Sequence, residues 1–238
     1  MNIAVKFLEP GAVGPYSGYV FTPSSDAWLL PRPVVACSSG YHFATIENLV
    51  NWARPEAYEI ETRGAVGLGD KSAAESIRFV RQLHCDDRVL RHFAADCAEA
   101  CLPLFERERP RDDRPRRAIE VARRFADGQA TLGELAVAGA AAGAAVGGAA
   151  VGAAARAAAW AAAGAAAEAA AGAAARAAAW AAVGAAARAA AGAAVGAAAR
   201  AAVGAAANRL LLAYLLDDDD ARSDAMELLC QACSGGTP

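Results

Sequence analysis

The first 83 residues alternate short apolar runs with turn residues, which is typical of a small mixed α+β domain. Residues 3–7 have the spacing of a strand, and glycine and proline residues mark turns after them. Three further runs are predicted to be strands, at residues 33–37, 57–62 and 76–80. Between these runs, Thr45 is a suitable N-cap for a helix over residues 46–54, which Pro55 should end.

From Asp87 onwards the apolar spacing becomes helical. The stripe of the first helix comprises Leu90, Phe93, Cys97, Cys101 and Leu104. Pro103 is expected to kink its last turn or to end it early. A second helix begins at Pro115 and is closed by Gly128, and a capping box at residues 131–134 opens a third.

A four-residue unit, one variable residue followed by three small ones, repeats without a break over residues 148–208. Alanine favours helix, but four residues advance a helix by about 400°, so the variable position moves around the axis and leaves no amphipathic stripe. We therefore predict several packed helical pieces rather than one rod. Large residues return at 209–216, the predicted end of a buried helix, and the last helix is predicted over residues 223–233.

These patterns predict two domains with a boundary at residues 82–88. Residues 1–83 form an α+β N-terminal domain. Residues 84–238 form an all-α, Ala-rich helical bundle that contains the four-residue repeat. With so long a helical region, the chain is predicted to be predominantly helical overall.

Composition and charge narrow the classes of function. The chain has 238 residues and a formal net charge of −3, and acidic residues interrupt its basic run at 107–124, which argues against nucleic acid as a partner. The uncharged stretch at 136–155 contains Ala and Gly rather than the Leu, Ile and Phe of membrane spans, so no membrane association is expected. The N-terminus lacks the features of a signal peptide, and we expect a cytoplasmic protein.

The six cysteines are then expected to be free thiols, and neither a metal nor another cofactor is expected. Cys230 and Cys233 form a CxxC pair, which supplies only half of a zinc site. Cys97 and Cys101 lie on an apolar stripe and are assigned to the core.

Cys37 and His42 are a candidate nucleophile pair, because a thiol beside an imidazole can be activated by it. The sequence identifies neither an oxyanion hole nor an acid that would orient the imidazole. The alternative is that Cys37 is a buried strand residue and that His42 packs locally. An enzyme is therefore the less favoured class.

Residues 93–128 include Asp96-Cys-Ala-Glu-Ala-Cys-Leu-Pro103 and Pro110-Arg-Asp-Asp-Arg-Pro-Arg-Arg117. This segment resembles the opening helices of a bacterial family proposed to supply immunity proteins against polymorphic toxins. The resemblance extends over about residues 85–233 and implies a protein partner.

A second resemblance covers residues 17–83. It rests on Cys37-Ser-Ser-Gly40-Tyr-His42-Phe, Gly69-Asp-Lys-Ser72 and Ile77-Arg-Phe-Val-Arg81, and it is to a small bacterial and phage domain of unknown function. This similarity implies a boundary near His84 but no activity.

The charged residues in the segment that resembles the immunity family, residues 93–128, form the candidate recognition surface. Asp96, Arg114, Arg117 and Glu120 are predicted to contact a partner, because arginine and carboxylate side chains make directional hydrogen bonds. His92 and Asp96, four residues apart, are otherwise expected to form an ordinary surface pair.

We thus predict a non-catalytic, immunity-like binding protein that neutralises or sequesters a protein partner such as a toxin. One alternative is an enzyme or nucleotide-handling module that uses Cys37 and His42. Another is a structural protein that self-associates through its Ala/Gly helices.

Overall fold

The computed structural model describes residues 3–36, 38–146 and 197–234. The strands are β1 Ala4–Leu8, β2 Tyr41–Thr45, β3 Glu56–Arg63, β4 Val66–Gly67, β5 Ser72–Ala74 and β6 Ser76–Gln82. The helices are α1 Leu49–Trp52, α2 Asp87–Glu108, α3 Arg114–Ala126, α4 Leu132–Val146, α5 Ala197–Leu216 and α6 Asp219–Cys233.

The six strands form one antiparallel sheet in the order β4-β5-β2-β1-β3-β6. Strand β1 lies near the centre and pairs with β3 along its whole length, from Ala4 opposite Ile60 to Leu8 opposite Glu56. Strands β1, β3 and β6 occupy three of the predicted runs, so those predictions are confirmed. Their apolar residues alternate between two faces because successive strand side chains point in opposite directions.

Two predictions for residues 33–54 are wrong. Residues 33–36 form no strand, and Val35 makes only an isolated bridge to Ser39 across a tight turn. Gly40, with a φ of +95°, follows this turn, and β2 begins immediately after it. Thr45 ends β2 rather than capping a helix, and the helix itself is the four-residue α1.

Most of the predicted helix boundaries after residue 84 are confirmed, but the last helix begins at Asp219 rather than at residue 223. The Asp86 carboxylate caps α2 by accepting a hydrogen bond of 2.7 Å from the Val89 N–H. Helix α2 continues beyond Pro103 to Glu108, so Pro103 does not end it early. Gly128 follows α3 with a φ of +71°, and the capping box opens α4, with Thr131 Oγ1 accepting from the Glu134 N–H at 3.2 Å.

Most of the four-residue repeat, and with it the predicted breaks, lies outside the described residues. Its last part, from residue 197, belongs to α5 and is helical as predicted. None of the helices in the described ranges is long and apolar enough to cross a bilayer.

One hydrophobic core joins the sheet to the helices. On the sheet side it contains Val5, Phe7 and Ala57, and it continues through α2, α5 and α6. The predicted boundary segment is part of this junction, since Leu83 and Cys85 are buried in the same core and the His84 N–H donates to the Leu215 carbonyl at 3.0 Å. The domain boundary at residues 82–88 stays a prediction.

The expectation of a predominantly helical chain is wrong. As far as the structure describes it, the chain is about 48% helical and 20% strand. The helical content was overestimated for two reasons. Strands β2, β4 and β5 were not recognised in the sequence, and the repeat carried much of the expected helix.

Candidate functional site

A cavity of about 630 Å³ lies between the sheet and the irregular segment that connects β1 to β2. We call it the sheet pocket. The charged and aromatic side chains that line it include Lys6, Tyr16, Tyr19, Arg32, Trp52 and Lys71. The volume is within the range of small-molecule sites, about 300–1,000 Å³.

The sheet pocket exists because β1 and β2 separate. The two strands pair only at Ala4 with Thr45 and at Val5 with Ala44. Beyond these pairs, the Lys6 side chain replaces a strand partner, and its Nζ donates to the His42 carbonyl oxygen at 2.7 Å. A lysine therefore occupies the opening between two central strands.

Lys6 is the buried cation of the site. Its residue is 8% exposed, and its Nζ lies 5.0 Å from the centre of the Phe21 ring. No carboxylate among the described residues pairs with it. Burial alone lowers the pKa of Lys6 to about 8, because the charged form loses its water. Lys6 thus remains mainly protonated at neutral pH without an anionic partner.

A second cation is held between two aromatic rings. The Arg32 guanidinium lies 5.0 Å from the centre of the Tyr19 ring and 5.1 Å from that of Tyr41. The Tyr41 hydroxyl donates to the Leu30 carbonyl at 2.8 Å, which fixes this ring. Such stacking holds the guanidinium plane while its N–H groups remain able to bind an anion.

A third cation lies at α1. The Lys71 Nζ is 5.1 Å from the centre of the Trp52 ring. The indole N–H of Trp52 donates to the Asp70 carbonyl at 2.7 Å, and the Tyr16 ring contacts Trp52 edge-on with centroids 6.1 Å apart. Helix α1 and the loop before β5 therefore place a ring and an ammonium group side by side.

His42 lines the sheet pocket, but its predicted partner Cys37 lies outside the described residues. Burial, then Lys71 and Lys6, lower the pKa of His42, so the neutral imidazole is favoured. Its Nε2 is buried and has no hydrogen-bond partner among the described residues. The geometry of a Cys37–His42 pair, and the catalytic role predicted from it, stay untested.

The predicted recognition residues do not share one environment. Asp96 points into the helical half, where its Oδ1 pairs with Arg123 at 2.5 Å and its Oδ2 accepts from the Tyr214 hydroxyl at 2.5 Å. Arg114, Arg117 and Glu120 are exposed on α3. The structure therefore assigns Asp96 a structural contact and leaves three of the four residues on the surface.

The expected pair between His92 and Asp96 is absent from the described contacts. The His92 Nε2 instead lies 2.9 Å from Asp127 Oδ1, and Arg88 pairs with the same carboxylate. Asp127 follows α3, so these contacts hold the end of α3 against the start of α2.

The cysteines of two helices meet in the core. The Sγ atoms of Cys101 on α2 and Cys233 on α6 are 3.2 Å apart, and the five cysteines in the described ranges are free. Sequence spacing left the CxxC pair without a neighbour, and only the packing of α6 on α2 brings the two helices' thiols together. Within the described residues, no group of three or more metal-binding side chains is arranged to hold a metal.

The chain matches no known family, curated protein or solved structure. Both resemblances described above therefore stay predictions, and the functional argument depends on the geometry of this molecule.

The sheet pocket and most of the residues that line it were not predicted from the sequence. The one available signal was Lys6, which interrupts an otherwise apolar strand on the same face as Ala4 and Leu8. Arg32 and Lys71 are far from Lys6 in the sequence and gave no indication that they line the same cavity.

Proposed function

We propose that this is a binding protein that holds a small anionic ligand in the sheet pocket. The observation that carries the proposal is the charge of the walls: Lys6, Arg32 and Lys71 line one cavity, and none of its described lining residues is acidic.

The energetics of Lys6 support this function. An ion without a counter-ion in a buried position destabilises the folded state, and such positions are concentrated at functional sites. A bound anion would supply the missing partner of Lys6 and would be attracted by the two outer cations.

The anion would be held by side chains rather than by a loop of backbone amides. In the two turns at the sheet pocket, the N–H groups of Gly14 and Gly18 donate to backbone carbonyls, and those of Ser38 and Ser39 both donate to the Val35 carbonyl. These amides are already used, so the affinity depends on the charged side chains.

Calorimetric titration with phenyl phosphate and with neutral benzyl alcohol tests the proposal. We expect phenyl phosphate to bind at least tenfold more tightly, and Lys6→Met to remove most of this preference. Arg81→Met is the matched control, since Arg81 is an exposed residue of β6 that pairs with Glu59 outside the sheet pocket. Equal binding of the two probes would show that the site is not an anion site.

We propose as a second candidate the immunity-like function, in which a cytoplasmic protein occludes a toxin or another protein partner. The supporting observation is the face of α3, where Arg114, Arg117 and Glu120 are exposed. Arg114 pairs with Asp112 at 2.6 Å and Arg117 with Asp113 at 2.8 Å, so these charges are ordered.

Pull-down with the full-length protein, followed by size-exclusion analysis of the purified complex, tests this candidate. The double variant Arg114→Glu, Arg117→Glu should lose the complex and remain folded, because exposed ion pairs contribute little to stability. A folded double variant that binds its partner normally would place the interface elsewhere.

A further inference from the structure

The walls of the sheet pocket combine cations with flat rings. Lys6 lies over Phe21, Arg32 lies between Tyr19 and Tyr41, and the Lys71 ammonium group lies near the Trp52 ring. A site for a bare inorganic anion needs cations and hydrogen-bond donors but has no need of these rings.

Two of the rings are open to solvent. Tyr16 is 76% exposed and Tyr19 is 41% exposed, and both line the sheet pocket. Large aromatic side chains gain free energy when their faces are covered, so a flat partner that covered them would add to binding.

The positions of both rings are fixed. The Tyr16 hydroxyl accepts a hydrogen bond of 2.9 Å from the Arg54 guanidinium, which is itself buried, and the Tyr19 ring contacts Phe21 edge-on with centroids 4.7 Å apart. Such rings lose little conformational entropy when a ligand stacks on them.

We infer that the ligand joins a phosphate group to a flat aromatic or heteroaromatic ring, as a nucleoside monophosphate does. The inference rests on the proposed anion-binding function and adds the ring. The phosphate pairs with Lys6 and Arg32, and the ring lies against Tyr16 or Tyr19 at the mouth of the sheet pocket.

Phosphate fits the donors better than a carboxylate does. Lys6 and Arg32 together offer more than one positive charge, and the hydroxyls of Ser17, Ser38 and Ser39 also line the cavity. A dianion with three terminal oxygens can use both cations and a hydroxyl, whereas a carboxylate presents one charge and two oxygens.

Calorimetric titration of the full-length protein separates the ring from the phosphate. The probes are the nucleoside 5′-monophosphates AMP, GMP, CMP and UMP, with ribose 5-phosphate and adenosine as partial ligands. We expect at least one nucleotide to bind tenfold or more tightly than ribose 5-phosphate, since stacking on an aromatic side chain contributes at about that level.

Each of the other possible outcomes contradicts the ring inference or the anion-binding function. If ribose 5-phosphate binds as tightly as every nucleotide, the ring inference is wrong and the anion-binding function stands. If adenosine binds as tightly as AMP, the proposed anion-binding function is wrong. If none of the probes binds, the ring inference is wrong, and the titration with phenyl phosphate decides the anion-binding function separately.

Variants of the exposed rings provide a second readout. Tyr16→Leu and Tyr19→Leu should each reduce the preference for the best nucleotide over ribose 5-phosphate, whereas Tyr16→Phe and Tyr19→Phe, which keep the ring, should reduce it much less. Arg81→Met, outside the sheet pocket, should leave the preference unchanged. If both leucine variants retain the parent preference, the ring does not lie on these tyrosines.

Discussion

The Asn208 side chain caps the turn that contains Val50, although the two residues are 158 positions apart in the chain. The Asn208 Oδ1 accepts a hydrogen bond of 2.9 Å from the Val50 N–H. Its Nδ2 donates to the Glu47 carbonyl at 2.7 Å, so one amide from α5 satisfies one N–H group and one carbonyl of this turn. The short helix α1, which carries Trp52 to the sheet pocket, therefore depends on the helical half.

Replacing Asn208 with alanine should lower the free energy of unfolding by about 2–4 kcal/mol. The substitution leaves a buried N–H and a carbonyl without partners, and each such group costs about 1–3 kcal/mol. Urea denaturation measures the change. Gln231→Ala is the control, because the Gln231 amide is exposed and bonds only to Glu227 among the described residues. Equal stability of the two variants would contradict the role of Asn208.

Lys6→Met should stabilise the protein at pH 7 while it weakens anion binding. The pKa of Lys6 is lowered from 10.5 to about 8 by burial. That shift corresponds to about 3 kcal/mol of destabilisation, since each pKa unit is about 1.4 kcal/mol. Denaturant unfolding of both proteins without ligand measures it, and a less stable Lys6→Met variant would show that the ammonium contributes to folding.

The difference in stability between the parent protein and Lys6→Met should depend on pH. Below pH 8 Lys6 is protonated in both the folded and the unfolded states, so the buried ammonium group destabilises the parent protein by the full amount. Between pH 8 and 10.5 the unfolded state binds more protons, so the parent protein gains stability relative to Lys6→Met as the pH rises. The difference between the two should fall to below about 1 kcal/mol at pH 10. A difference that is constant from pH 7 to pH 10 would contradict the lowered pKa.

Arg123→Met should destabilise the helical half by about 2 kcal/mol. Arg123 pairs with both Asp96 and Glu99, and its loss leaves the largely buried Asp96 carboxylate with only the Tyr214 hydroxyl. Arg117→Met on the same helix is the control, since Arg117 is exposed and its loss should change stability by less than about 0.5 kcal/mol. Thermal unfolding monitored by circular dichroism distinguishes them.

The rate at which each cysteine is alkylated should decrease as its burial increases. In the folded protein, iodoacetamide should modify the half-exposed Cys230 at least tenfold faster than Cys85 or Cys97, because these two thiols are buried and closed to the reagent. Burial raises the pKa of all three thiols. The pKa of Cys101 is raised by its hydrogen bond with Cys233 and by burial. Peptide mass spectrometry measures the rates, and labelling in urea gives the unprotected reference. Equal rates in the folded protein would contradict this packing.

Local signals in the sequence were sufficient for most of the helix ends from α2 onwards, although the last helix begins four residues before its predicted start. The Thr131–Glu134 capping box and the glycine at 128 define helix ends through contacts within a few residues, so their effect does not depend on the rest of the fold. Strands β1 and β3 were recognisable because their apolar residues occupy both faces of a central sheet.

The predictions that failed concern residues whose structure depends on contacts with distant parts of the chain. Helix α1 is short and held by Asn208, which no pattern near residue 50 reveals. The run Tyr41-His-Phe43 was not recognised as a strand, although it forms β2 and a wall of the sheet pocket. Asp96 was taken for a surface residue because the Tyr214 hydroxyl that binds it comes from 118 residues later.

The core that joins β1 to α5 and α6 also affects the order in which the chain can fold during synthesis. The hydrophobic cluster that contains Val5 and Phe7 of β1 also contains residues that follow position 200. At about 5–20 residues per second, a ribosome needs about 8–30 s to pass from Val50 to Asn208. During that interval the core can assemble only with side chains that precede α5, such as those of the sheet and α2, and it is completed when the last two helices emerge.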